Sequence, residues 1–274
     1  SAIKNKMTEL DGDVSYIGLP TSVIHSLNFD QEVSRSAIGQ PIGSFYAYKE
    51  DGLFQSEAEI KSYTNNKGEL LQPNAKPGDI KFVDVNGDGV IDGNDRDYIG
   101  NPLPDVTAGL TLGVNFHNFD LSLFFQGMFG NDVYDLTRYV GDFYNQSQYN
   151  KNSRVVNAWT PTNTNTDIPR VTMDDPNNNI RPSSYYVQDA SFVRLKNMKI
   201  GYSVPQSILS KIKFNSLYIY AQATNLFTIT GYDGIDPEVG LQSYSSDYRN
   251  LDMGVDRGIY PLSRTFTFGV NVSF

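Results

Sequence analysis

The chain has 274 residues, 39% hydrophobic and 13% aromatic, with 23 Gly, 13 Pro and no Cys, so disulfide staples, thiolate metal sites and a cysteine nucleophile are excluded. Lys and Arg number 22 against 31 Asp and Glu, a net charge of −9. Without a basic cluster to offset it, that balance argues against the phosphate backbone of a nucleic acid as a partner.

No apolar run approaches the ~18 residues of a membrane-spanning helix, and Ser1-Ala2-Ile3-Lys4 does not open a signal peptide. The chain is therefore either soluble or crosses lipid as strands. Starting at Ser1 on a segment patterned like part of a larger sheet, it reads as a fragment or processed product. Ser1 to Leu10 is a candidate first strand, and short strands are expected around Pro41 to Lys49. Ser56-Glu57-Ala58-Glu59 is a capping box that opens a short helix to about Tyr63.

From Asp105 to Phe116 apolar residues alternate with Thr107, Gly109, Thr111, Gly113 and Asn115, the period-two signature of a strand with one apolar face. His117-Asn118 predicts a tight turn, after which Phe119 to Gly130 resumes as the second arm of a hairpin. A polar excursion follows over 131–189, in which Asn152 is expected to cap a short peripheral helix over Ser153 to Trp159, stopping before Pro161. Ala190 to Val204 is the next strand, Pro205 to Lys211 a short connection, and Phe214 to Thr224 another alternating strand. A second long polar loop covers 225–261. The chain closes on Phe266, Phe268, Val270, Val272 and Phe274, alternating with Thr265, Thr267, Gly269, Asn271 and Ser273.

Short links thus alternate with long loops, as in a transmembrane barrel whose short turns are periplasmic and whose long loops lie outside. The strands are long for a globular sandwich and suit tilted crossings of ~9 to 11 residues. Phe116, Phe119, Phe129, Tyr134, Tyr202, Phe214 and Phe227 fall near strand ends, where interfacial girdles are expected. So few strands cannot close in lipid, because open edges would leave backbone groups unpaired. The remaining strands must come from elsewhere.

One segment carries recognisable chemistry. Residues 84–95 place oxygen donors at calcium-loop spacing: Asp84, Asn86, Asp88, the carbonyl of Val90, Asp92 and Asp95, with Gly89 at the sharp turn and Ile91 as the apolar anchor. Hard oxygen donors select Ca²⁺ over soft metals, and a closed ligand set without a neighbouring nucleophile implies a structural ion. The twelfth position is Asp rather than the bidentate Glu of signalling EF-hands, and no long helices are expected to flank it; the loop resembles the dockerin version. No catalytic constellation is present: His25 and His117 are the only histidines, and neither sits in a nucleophile pattern, so the chain is not expected to be an enzyme. Tyr139, Tyr144, Tyr149, Trp159, Tyr244 and Tyr248 lie in the long loops, where they are candidates to stack on sugars or grip peptides.

The runs Gly39 to Ser56, Pro77 to Asp92 and Asp95 to Asp105, with Ala190-Ser-Phe-Val-Arg-Leu-Lys-Asn-Met-Lys-Ile-Gly-Tyr-Ser-Val-Pro205 and Tyr220-Ala-Gln-Ala-Thr-Asn-Leu-Phe-Thr228, resemble the C-terminal part of the SusC/RagA group of TonB-dependent outer-membrane transporters. The resemblance implies an all-β antiparallel transmembrane barrel segment, the last strands of a twenty-two-stranded barrel. Residues 1–104 would form a first strand and an extracellular region holding the calcium-type loop, and 105–274 the barrel strands with outer loops. It further implies a plug absent from this chain, a SusD/RagB-like lipoprotein partner and TonB contact through a missing N-terminal part. The surroundings would be outer-membrane lipid, the loops extracellular and the C-terminus periplasmic, with glycans or peptides as cargo. The alternatives are a secreted calcium-binding β domain that binds carbohydrate or protein, and a barrel scaffold in a surface complex.

Overall fold

Period-two alternation lays down the longest elements of the computed structural model, which describes residues 1–19, 31–144, 150–212, 214–240 and 251–274. In chain order these are β1 (Tyr16–Gly18), β2 (Ser34–Ala37), β3 (Ser44–Tyr48), β4 (Glu50–Leu53), α1 (Glu57–Ser62), β5 (Ile80–Phe82) and β6 (Arg96–Gly100). The first long hairpin follows as β7 (Val106–Phe116) and β8 (Phe119–Phe129), then β9 (Asp132–Asp135), α2 (Thr137–Gly141), β10 (Val187–Asp189) and β11 (Phe192–Ser203). The chain ends through α3 (Gln206–Ile212), β12 (Ser216–Thr224), β13 (Thr228–Thr230), β14 (Val255–Asp256) and β15 (Thr265–Ser273).

The long strands form one antiparallel sheet in the order β15-β12-β11-β8-β7, with β13 pairing the first residues of β11, Phe192 to Arg194. Pairing runs unbroken from Val106↔Phe129 to Phe116↔Phe119 and from Ser216↔Ser273 to Thr224↔Thr265. His117, at φ 53, supplies the positive dihedral that a two-residue hairpin link requires. A bulge between Leu195 and Asn197 shifts the β11–β8 register. Of the expected first strand, only the Ala2↔Val106 bridge forms, with Ser1 and Ile3 hydrogen-bonded to the start of β7.

Register puts like with like. Leu112 faces Leu123, Leu123 faces Met198, Met198 faces Ala223 and Ala223 faces Phe266, so one apolar face crosses the whole sheet. The opposite face carries Thr111, Gly113, Ser122, Lys199, Gln222 and Thr267. β7 and β15 are exposed along almost their full length, so among the described residues these outer strands contribute to no core.

The core lies instead among the shorter elements. Phe45, Phe82, Tyr134, Leu136, Tyr186 and Val255 join Trp159, Tyr139 and Leu251 in one buried cluster drawn from β3, β5, β9, α2, β14 and the intervening loops. The long polar segments therefore fold into a packed cap, held by the sheets β1-β2-β3-β6, β10-β9-β14 and β4-β5. This corrects two expectations. Tyr134 is fully buried and stacks on Tyr186 at 5.3 Å rather than joining a girdle. The helix before Pro161 is a 3-10 turn, Ser153–Asn157, and it is no periphery, since Val155 within it and Trp159 just beyond it are buried. Asn152 does not cap that turn, because its side-chain amide donates to Asp142 at 3.1 Å. The Ser56 cap forms as expected on Glu59 N, while the Glu59 carboxylate reaches Gln55 N instead of closing the box on Ser56.

Candidate functional site

The oxygen-rich loop 84–95 connects β5 to β6 and is built from successive side-chain-to-backbone turns. Asp84 accepts from Gly87 N at 2.8 Å and Gly89 N at 2.9 Å, Asn86 from Asp88 N at 2.8 Å, and Asp88 from Val90 N at 2.9 Å. Asp95 closes the loop: one oxygen accepts from Val85 N at 2.9 Å, the other from Asp92 N at 2.7 Å. Asp92 and Asp95 together make a reciprocal capping box on the 3-10 turn Gly93–Asp95. Gly89 sits at φ +88, a conformation that strains any residue with a Cβ. Ile91 packs against the core cluster, and Val90 is exposed. The loop thus folds back on itself in the order of its sequence spacing. Among the described residues, no three His, Cys, Asp or Glu side chains gather closely enough to hold a metal as they stand.

The aromatic candidates separate by burial. Tyr139 is buried in the cap core, and Tyr144 is exposed. Tyr149, Tyr244 and Tyr248 lie outside the described residues, as does His25. Trp159 is buried with its indole over Gly78, where an added Cβ would come within 2.4 Å of Cε3. Its Nε1 donates to Gln55 at 3.0 Å, and its rim reaches a cleft shared with Pro77, Pro161 and Arg170. Beneath it, the buried Asp79 carboxylate accepts from Arg170 Nε at 2.6 Å, Asn179 at 2.9 Å and Lys76 N at 2.8 Å. Asn179, Asn177 and Gln72 extend the network to the edge of β5.

Burial dominates the electrostatics of the cap. The phenols of Tyr134, Tyr185 and Tyr186 are pushed well above the ordinary tyrosine value by desolvation. Desolvation also raises the Asp135 carboxyl, opposed by hydrogen bonds from Thr137 and by Arg138. Asp256 is the direct neighbour of Asp135 across β14–β9 and accepts from Tyr232 OH at 2.6 Å.

Composition did not announce one further cluster. Arg194, 2% exposed, donates to Thr228 at 2.8 Å, Glu238 at 3.1 Å and Asp236 at 2.5 Å, while Lys196 reaches Glu238 at 2.8 Å. This clamp ties the loop after β13 to β11. The available signal was positional: Arg194 falls on the polar face of β11, the face it shares with Phe192, whose ring its guanidinium covers at 5.2 Å. His117 occupies the hairpin turn with its ring against Phe116.

Comparison with known proteins agrees with this architecture. No protein-family model matches the chain. It is 37% identical over 272 residues to the TonB-dependent receptor P3 of Formosa agariphila, covering 99% of the chain and 26% of that protein. It is 27% identical to the TonB-dependent receptor SusC of Bacteroides thetaiotaomicron, covering 98% of the chain and 23% of SusC. It also superposes on the RagAB peptide transporter with a TM-score of 0.67 at 22% identity, covering 97% of the chain and 25% of that structure's chain, a likeness of fold. The chain spans about a quarter of the length of the curated relatives it matches.

Proposed function

The chain belongs, along nearly its whole length, to the SusC/RagA-type TonB-dependent receptors, and on that premise we propose that it forms part of the wall and outer cap of an outer-membrane nutrient transporter. Its relatives are receptors and transporters rather than enzymes. The observation that carries the proposal is the sheet β15-β12-β11-β8-β7: one continuous apolar face, one polar face and, among the described residues, no layer covering β7 or β15. Such a sheet is stable only where lipid meets one side and neighbouring strands satisfy both edges.

In this reading the sheet is the C-terminal end of the barrel, with the hairpin link at His117 and the α3 connection on the periplasmic side. The cap then faces outward. The rest of the receptor supplies the other strands and the plug, a SusD/RagB-like lipoprotein closes over the cap, and TonB drives uptake of glycans or peptides. A neighbour of the same fold named as a peptide transporter supports the second cargo class. The test is uptake by cells whose only copy of the receptor is the full-length protein containing this segment. Loss of growth on oligosaccharide or peptide when either the receptor or TonB is deleted supports the proposal. Recovery of the receptor in the soluble fraction, or uptake that persists without TonB, overturns it.

We also propose that loop 84–95 holds a structural Ca²⁺ through Asp84, Asn86, Asp88, the Val90 carbonyl, Asp92 and Asp95. The spacing and hard-oxygen chemistry support this, as does the tight backbone at Gly89. Each carboxylate keeps lone pairs beyond those used by loop amides. An ion would draw separate turns into one rigid unit that joins β5 to β6.

A further inference from the structure

At the upper end of the sheet, between the loop after β13 and the segment entering β15, lies a half-enclosed cavity of about 440 Å³. It is lined on the apolar side by Phe227, Ile235, Pro261 and Leu262, and on the polar side by Arg194, Asn225, Asp236 and Arg264. Most of these polar groups are already committed. Arg194 is spent on Thr228, Asp236 and Glu238. Asp236 accepts from Arg194, from Glu238 N at 2.9 Å and, through its other oxygen, from Leu262 N at 3.1 Å. The Asn225 amide donates to the Ser263 carbonyl at 3.1 Å. Arg264 is exposed and, among the described residues, has neither an ion pair nor a hydrogen bond. Among the described residues, the one uncommitted charge lining this cavity is therefore positive.

We propose that this cavity is a subsite for the free carboxyl terminus of a peptide, with Arg264 as the charge partner and Ile235, Leu262 and Phe227 holding an apolar terminal side chain. The inference rests on the transporter reading above and narrows its cargo. A carboxylate suits a guanidinium, which can present two parallel donors to it. An apolar wall next to one charged group suits a peptide end better than a saccharide, whose several hydroxyls need several free donors and acceptors. Here the Thr228 hydroxyl and both oxygens of Asp236 already accept hydrogen bonds. Ile235 and Leu262 remain exposed, so a ligand that covers them gains apolar burial as well as the ion pair.

The test uses the full-length receptor, purified in detergent, and calorimetric titration with a short apolar peptide as free acid and as C-terminal amide. The wild type is expected to bind the free acid about tenfold more tightly than the amide, the scale of one charge-assisted contact. Arg264→Ala should abolish that preference, and Arg264→Lys should keep part of it. Heat-modifiable electrophoretic mobility confirms that each variant remains a folded barrel. Equal affinity of acid and amide in the wild type overturns the proposal, as does an acid preference that survives in Arg264→Ala, or failure of the wild type to bind either peptide. An acidic oligosaccharide that competes better than the peptide also overturns it. In all these outcomes the transporter reading stands or falls separately, on membrane fractionation and TonB-dependent growth.

Discussion

A charge placed on the apolar face of β7 should be far more damaging than the same charge one residue away. β7 has 11 residues, which at about 3.4 Å per residue and a tilt of about 40° rise roughly 28 Å, close to the ~25 Å apolar band of an outer-membrane barrel. Leu112 lies one residue past the middle of the strand, opposite Leu123 on the apolar face. Thr111 is its neighbour on the polar face, opposite Phe124. Leu112→Arg therefore sets a guanidinium near the bilayer midplane, at a cost of about 2 to 4 kcal/mol, whereas Thr111→Arg faces the interior and should cost under ~1 kcal/mol. Val272→Arg, at the far end of β15 and on the same apolar face, should fall between ~0 and 1 kcal/mol because the side chain reaches the interface. The assay is urea unfolding of the full receptor in lipid vesicles, followed by heat-modifiable mobility. Equal penalties at 111 and 112, or a larger penalty at 272 than at 112, would refute the assignment of the faces.

Other expectations concern the cap. Gly78→Ala combines a strained φ of +87 with a Cβ placed 2.4 Å from Trp159 Cε3 and 2.8 Å from Arg170 Cβ, so a loss of about 2 to 4 kcal/mol is expected. Limited proteolysis of the outer loops in the full receptor reads it, and an unchanged cleavage rate would show that the Trp159 packing can yield. Calcium at about 100-fold over its dissociation constant should protect the 84–95 loop from protease by about 2.7 kcal/mol. Chelator should reverse the protection and Asp88→Ala should remove it; protection that persists in Asp88→Ala would sink the ion site. The phenols of Tyr134, Tyr185 and Tyr186 are raised in the folded cap, so their contribution is intact below the ordinary tyrosine value and lost as pH climbs above it. Each should remove about 1.4 kcal/mol per pH unit above ~10. Ultraviolet titration should show them ionising only together with unfolding; smooth titration in the folded receptor would contradict their burial.

The barrel strands were legible because their rule is local. Alternation at period two, with short and long links taking turns, located β7, β8, β11, β12 and β15 to within a residue or two of their observed ends. The turns of loop 84–95 follow the sequence spacing for the same reason, since they close within twelve consecutive residues. The cap was not legible. Its core joins Phe45, Phe82, Tyr134, Trp159 and Val255, residues up to 210 positions apart, and all but Phe45, which falls in the short strand expected around Pro41 to Lys49, belong to stretches too polar and too short to show a period. Asn152 illustrates the failure: its side chain makes no cap on the following turn and instead donates to Asp142, ten residues away in sequence. Arg194 was visible as a charge on a strand, but its partners Asp236 and Glu238 come from a loop whose path no pattern defines.

The molecule thus divides its sources of stability. The sheet depends on its surroundings, because among the described residues β7 and β15 stay exposed along almost their full length and only the start of β7 has a partner on its outer edge. The cap has a real core, a buried Asp79–Arg170 ion pair and a fully paired Arg194. That division has a mechanical consequence at the boundary, where β11 runs from the sheet into the cap and Arg194 ties it to the loop after β13. Cutting one partner of a buried, charged clamp typically costs about 3 to 5 kcal/mol, because the other charge is left uncompensated. Asp236→Ala should therefore loosen the 225–240 segment while leaving the β7–β8 hairpin unchanged, because the side-chain partners of Arg194 all lie on β13 and in the loop after it, whereas its backbone stays held to Gln126 of β8 by the sheet ladder. Hydrogen exchange in the full receptor separates the two: faster exchange confined to 225–240 supports a local hinge clamp, and faster exchange spreading through β8 would mean that cap and wall unfold as one unit.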